Sequence, residues 1–136
     1  MLMSVDYTFC PEPQYALSLS TMPHHDTHQY LIALCTCPDQ DTAAQLADRL
    51  VGDRLAACVN IVPGITSVYH WRDGIEHDNE LLLLIKTRRE LFPALEATIR
   101  QHHPYELPEV IAVSIEEASQ AYLDWIDQSL GKKNVT

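Results

Sequence analysis

The stretch that most limits what this chain can fold into is "ELLLLIK", Glu80 to Lys86. Five consecutive apolar residues, Leu81 to Ile85, leave neither face of a strand free for water. Period alone does not separate strand from helix here. The run is short, bounded by Glu80 and Lys86, and followed at once by a helix start, all of which favour a strand buried on both faces. Thr87 with Glu90 three residues on has the form of a capping box, in which the hydroxyl and the carboxylate each satisfy a backbone N–H of the first turn. Leu91, Phe92, Leu95 and Ile99 then make the apolar stripe of a helix that runs out at His102 and His103.

The remaining elements are punctuated by turn chemistry. "YLIALC" from Tyr30 has strand length and ends at Pro38, after which Asp39 or Asp41 offers a cap for a helix carrying Ala43, Leu46, Ala47, Leu50 and Val51 at helical spacing. "LAACVNIV" stops at Pro63-Gly64 and "ITSVYHW" at Asp73-Gly74, which predicts two further strands. Pro104 biases His103 away from helical geometry, and Pro108 leads into the strand "EVIAVSI". A last amphipathic helix spans about Gln120 to Leu130, with Tyr122, Leu123, Ile126 and Leu130 on one side and Gly131 as its stop. Two strand–helix crossovers around a hairpin predict an α+β, ferredoxin-like sandwich, an antiparallel sheet with both main helices on one face. The other face is bare. Burying one Leu side chain is worth about 1.5–3 kcal/mol, so the outward members of Leu81–Ile85 call for a cover, and another copy of the chain is the natural one. An obligate homo-oligomer is expected.

With 136 residues, 46% of them hydrophobic, the chain suits one domain with a real core. Its expected division is a flexible N-terminal tail over 1–29, a folded domain over 30–131 and a short C-terminal tail over 132–136. The first 29 residues hold Pro11, Pro13 and Pro23 but no Lys or Arg, and Met22 is a second candidate start. Without a basic, apolar leader, export is not expected and a cytoplasmic location is. In that reducing compartment Cys10, Cys35, Cys37 and Cys58 would stay as thiols open to metal. A net charge of -10, from 19 acidic against 9 basic residues, argues against nucleic acid or an anionic membrane and favours cations. No apolar run nears the roughly 20 residues that span a bilayer.

"QHHPYELPEV" holds the candidate chemistry. His102 and His103 read either as metal ligands or as cations at a helix C-terminus, where a protonated imidazole gains about 0.3–1 kcal/mol from the last carbonyls. Adjacent helical residues point about 100° apart, so the pair chelates one ion only if the break at Pro104 turns His103. A thiolate joined to imidazoles suits Cu(I), Cu(II) or Zn(II) rather than Mg(II) or Ca(II). Cys35 and Cys37 lie on one side if their strand persists, either as a two-thiolate clamp or as small core fillers, the role expected of Cys58. His24, His25 and His28 form a short His-rich tract that binds metal on composition or is a solvated tail. Trp71, Lys86, Tyr105 and Glu109 sit at element edges, as a ligand cleft between subunits or as packing and surface pairs. Cys35 and His103 with Glu106 or Glu109 also form a formal nucleophile set, but no spacing favours catalysis over ligation, and no enzyme is expected. A Gly-rich phosphate loop is missing, which weakens a nucleotide ligand.

In their order, "CTCPD", "LAACVNIVPGITSVYHW", "ELLLLIKT" and "HHPYELPEV" resemble the divalent-cation tolerance family, CutA, over roughly residues 30 to 130. The resemblance implies a ferredoxin-like subunit similar to the PII signalling proteins, a tight cytoplasmic homotrimer, and tolerance of copper and other divalent cations such as zinc. It places the family's proposed copper ligands on Cys35, His102 and His103. Cys37 departs from the pattern, since the family often has a small or apolar residue there. The competing class is a PII-like signalling trimer with a metabolite in its inter-subunit clefts and metal incidental.

Overall fold

The computed structural model describes residues 25–131. Met22, Cys10, His24 and the segment 132–136 lie outside them. Four strands, β1 (Tyr30–Cys37), β2 (Cys58–Trp71), β3 (Gly74–Arg88) and β4 (Ile111–Ser114), form one sheet in the order β2-β3-β1-β4. Every neighbouring pair is antiparallel. The helices α1 (Gln40–Gly52), α2 (Phe92–His102) and α3 (Gln120–Ser129) complete the architecture.

Period decides which face each strand residue takes. Ala33, Cys35 and Cys37 of β1 and Leu83 and Ile85 of β3 are buried beneath Ala43, Leu46 and Leu50 of α1 and Leu95 and Ile99 of α2. Asp39 caps α1, accepting the Thr42 N–H at 2.8 Å, and so resolves the choice between the two aspartates. α3 builds a second, smaller cluster in which Leu123 and Ile126 bury Tyr30 and Ala57. Ser119 caps it and Gly131, at φ 81°, ends it. The opposite face carries Ile32, Leu34, Leu82 and Leu84, each only part-buried in the single chain, with Ile111 and Val113 52% and 51% exposed beside them. Leu81 to Ile85 is therefore a strand with one face sealed and one face still presenting hydrocarbon.

Three predicted features are corrected. The residues Cys58 to Trp71 form one strand, not two, because Pro63-Gly64 is absorbed as a bulge: Val62 pairs with Leu82 and Ile65 with Glu80, so β2 spends one residue more than β3 across that interval. Gly64 supplies the left-handed φ of 77° that the bulge needs. Thr87 and Glu90 form no capping box. Thr87 is a fully buried residue of β3 whose hydroxyl donates to the Leu55 carbonyl at 2.7 Å, and Glu90 accepts from the Arg88 Nε–H at 2.9 Å. A single 3-10 turn, Arg89–Leu91, then leads into α2, with Pro in its first turn. β4 is also shorter than predicted, four residues from Ile111 to Ser114, and it pairs with β1 only as far as Leu34.

Candidate metal centre

That early end of β4 leaves the β1 edge at Cys35–Cys37 open on one side, and the loop after α2 closes it. Pro104 forces His103 out of the helix, to φ -83° and ψ 139°, while its N–H still caps the Ile99 carbonyl at 2.8 Å. The ring thereby swings onto β1, where Nε2 lies 2.7 Å from the Thr36 carbonyl. Nδ1 accepts the Tyr105 backbone N–H at 3.1 Å. A nitrogen that accepts cannot carry the proton, so the two contacts together select the neutral Nε2–H tautomer, which donates to Thr36. His103 is 7% exposed, and its ring packs 4.7 Å from that of Tyr105.

Cys35, Cys37 and His103 converge there, each buried, with one potential ligand atom apiece all within 4.8 Å of one another. The two sulfurs meet because residues i and i+2 of a strand share a face. The Cys35 S–H donates to the Thr36 carbonyl at 3.6 Å, and interaction with the neighbouring Cys37, then burial and the charges of Glu109 and Glu80, raise the Cys35 pKa. The same interaction lowers Cys37. The pair thus gives up its first proton more readily than its second.

His102 goes elsewhere. As the last residue of α2 it keeps helical geometry, is exposed, and borders a surface groove with Gln45, Arg49 and Pro104. The two residues are adjacent but leave the helix end in different directions, and the set that meets is Cys35, Cys37 and His103. Of the His-rich tract, His25 is held against α3 by Asp124 at 2.9 Å, and His28 lies in a 3-10 turn just before β1. Cys58 stands in β2 opposite Lys86 and is half-buried.

Trp71, Tyr105 and Glu109 do come together, in a cleft also lined by Thr36, Asp78 and Glu80. Lys86 does not join them. It pairs with Ile32 and Cys58, six residues along β3 from Glu80, which at about 3.3 Å per residue is near 20 Å away. Glu80 is the site residue that the sequence reading treats only as a boundary. It is 6% exposed and accepts the Tyr105 hydroxyl at 3.0 Å, and burial followed by that bond raises the Tyr105 pKa. Its signal was available, since a carboxylate sharing the strand period of Leu82 and Leu84 sits in an otherwise apolar column. His103 is oriented by two backbone groups rather than by Glu106 or Glu109, so the nucleophile–base–carboxylate arrangement is not assembled.

The family model described as CutA1 divalent ion tolerance protein matches residues 31–129. A divalent-cation tolerance protein CutA of Thermus thermophilus is 46% identical over 100 residues, covering 74% of this chain and 97% of the relative. Protein CutA of mouse is 48% identical over 96 residues, 71% of this chain but 54% of the mouse protein, so this chain spans about half of that relative. Among solved structures, a CutA from Archaeoglobus fulgidus described as a periplasmic divalent cation tolerance protein superposes with a TM-score of 0.72 at 36% identity, over 74% of this chain and 98% of that one.

Proposed function

The chain belongs to the CutA1 divalent ion tolerance family, and from that membership we propose that it binds soft and borderline metal ions, chiefly copper, and so contributes to tolerance of divalent cations. The observation that carries the reading is the convergence of Cys35, Cys37 and His103 within 4.8 Å in a buried position. Two sulfurs and an imidazole suit copper or zinc and repel the claims of Mg(II) and Ca(II), which require oxygen. His103 would ligate through a nitrogen released from Tyr105 or Thr36, and the acidic cleft next to it favours the approach of cations. Cys37 takes the place in this set that the family resemblance gives to His102.

The working form we propose is a cytoplasmic homotrimer of ferredoxin-like, PII-like subunits. The strand order β2-β3-β1-β4 with its two helical crossovers supports the subunit, and the uncovered Leu82, Leu84, Ile111 and Val113 support the association. Thiols that must remain reduced favour the cytoplasm. No described helix is long and apolar enough to cross a membrane. Copper titration of the native chain against Cys35→Ser and His103→Ala tests the site, and both variants should bind more weakly; unchanged affinity in the two removes it. Sedimentation of Leu84→Glu tests the assembly, because a carboxylate on the bare face should release single subunits.

A second reading keeps the trimer and makes the cleft of Trp71, Tyr105 and Glu109 a metabolite site. Its aromatic walls and carboxylates suit a neutral or cationic molecule rather than a phosphate, with Lys86 at the other end of β3. Under that reading the cysteine and histidine variants leave ligand binding intact.

A further inference from the structure

We propose that Cys37 makes this centre a two-thiolate trap for Cu(I), held between the sulfurs of Cys35 and Cys37 with His103 as its lid. The inference rests on the metal-binding reading above and specifies which ion and which ligands it uses.

Both sulfurs project from the same face of the central strand β1 and both residues are 0% exposed. A strand hydrogen-bonded to β3 along its whole length holds them at a fixed separation. Their existing bonds are weak: the Cys35 S–H reaches the Thr36 carbonyl only at 3.6 Å. His103 is differently placed, because both ring nitrogens already serve backbone groups and ligation by either one orphans Thr36 or Tyr105. Glu80 belongs to the opposite face of the sheet, in the column of Leu82 and Leu84, and is engaged with the Tyr105 hydroxyl. The donors free to turn to a metal are therefore two thiolates.

Coordination number decides among ions. Zn(II) takes four ligands in a tetrahedron, and Cu(II) prefers a tetragonal set of nitrogen and oxygen. A closed-shell cuprous ion is satisfied by two soft donors in line, or by three with a distant imidazole. Binding balances as one Cu(I) plus two thiols giving a bis(thiolate) cuprate of net charge -1 and two protons released to solvent. No electron is transferred, and the ion arrives already reduced.

The test is a competition titration under argon, with Cu(I) buffered by bicinchoninate and zinc in a parallel series, on the full chain carrying Cys10→Ala and Cys58→Ala to remove other thiols. Cys37→Ala should weaken Cu(I) by about 100-fold or more while zinc changes by less than about 10-fold. Copper-edge X-ray absorption should count two sulfurs in the parent and one in the variant. Circular dichroism and thermal melts check folding, and Cys37→Ser serves as a second variant of similar size. Should Cys37→Ala and Cys37→Ser retain parental Cu(I) affinity while Cys35→Ser loses it, the two-thiolate trap is wrong and the broader metal reading stands. Should Cys35→Ser, Cys37→Ala and His103→Ala all bind as the parent does, both fail together.

Discussion

Replacing His103 by alanine in the metal-free protein isolates its structural role from any ligand role. The ring donates to the Thr36 carbonyl at 2.7 Å and accepts the Tyr105 N–H at 3.1 Å. Each such bond contributes about 0.5–1.5 kcal/mol net, and an orphaned buried partner costs about 1–3 kcal/mol. The lost tilted ring contact with Tyr105, centroids 4.7 Å apart, adds a fraction of a kcal/mol to that. A destabilisation of about 2–4 kcal/mol follows. His103→Gln, whose amide reaches Thr36 but cannot serve both groups, should lose about half as much. Urea unfolding of chelator-treated protein gives the answer, at one fixed subunit concentration because association adds to apparent stability. The midpoint should move with the slope unchanged. A loss below about 0.5 kcal/mol for His103→Ala would refute the pairing, and with it the neutral tautomer and the account of how the open β1 edge is closed.

Two more substitutions probe the fold around the site. Thr87→Asp would be harmless at a helix N-cap; in β3 it buries a carboxylate against the Leu55 carbonyl and should cost more than about 3 kcal/mol by urea unfolding, whereas neutrality would restore the cap. Tyr30 is pushed up from 10.0 to about 12, by burial first and then by its 2.8 Å bond to Asp127. With the folded value above the unfolded one, this contribution is intact below about pH 10 and is lost as pH rises towards about 12, so Tyr30→Phe should flatten the alkaline fall in unfolding free energy over that window. An unchanged slope would mean that Tyr30 titrates freely in the folded chain.

What could be read from the residues was whatever local period and punctuation control. The faces of Leu83 and Ile85, the stripe of α2 and the cap on α1 all follow from spacing, and the structure places them as expected. Thr87 misled because a hydroxyl three residues before a glutamate looks the same whether it bonds its own helix or a carbonyl 32 positions away. Pro63-Gly64 misled because the dipeptide that ends a strand also makes a bulge, and only the pairing with β3 distinguishes the two. At the centre, the proximity of Cys35 and Cys37 was legible as a strand period, and the turn at Pro104 was legible as steric exclusion. That this turn parts His102 from His103 depends on which dihedrals His103 adopts, and that the ring lands on Thr36 depends on where β4 stops pairing.

The surplus residue in β2 switches which residue numbers fall on each face of the overhanging hairpin. Before it, even-numbered side chains of β2 share the face of Leu82 and Leu84; after it, the odd-numbered Ile65, Ser67, Tyr69 and Trp71 take over that column. Trp71 takes its side from its pairing with Gly74, and the bulge at Gly64 absorbs the extra residue that would otherwise break the column. Removing Gly64 alone would turn the bulge into regular pairing, with Ile65 still opposite Glu80 and Trp71 still opposite Gly74, so Tyr69 and Trp71 should keep their side. A one-residue change of length at this point is therefore taken up locally, without turning the arm over.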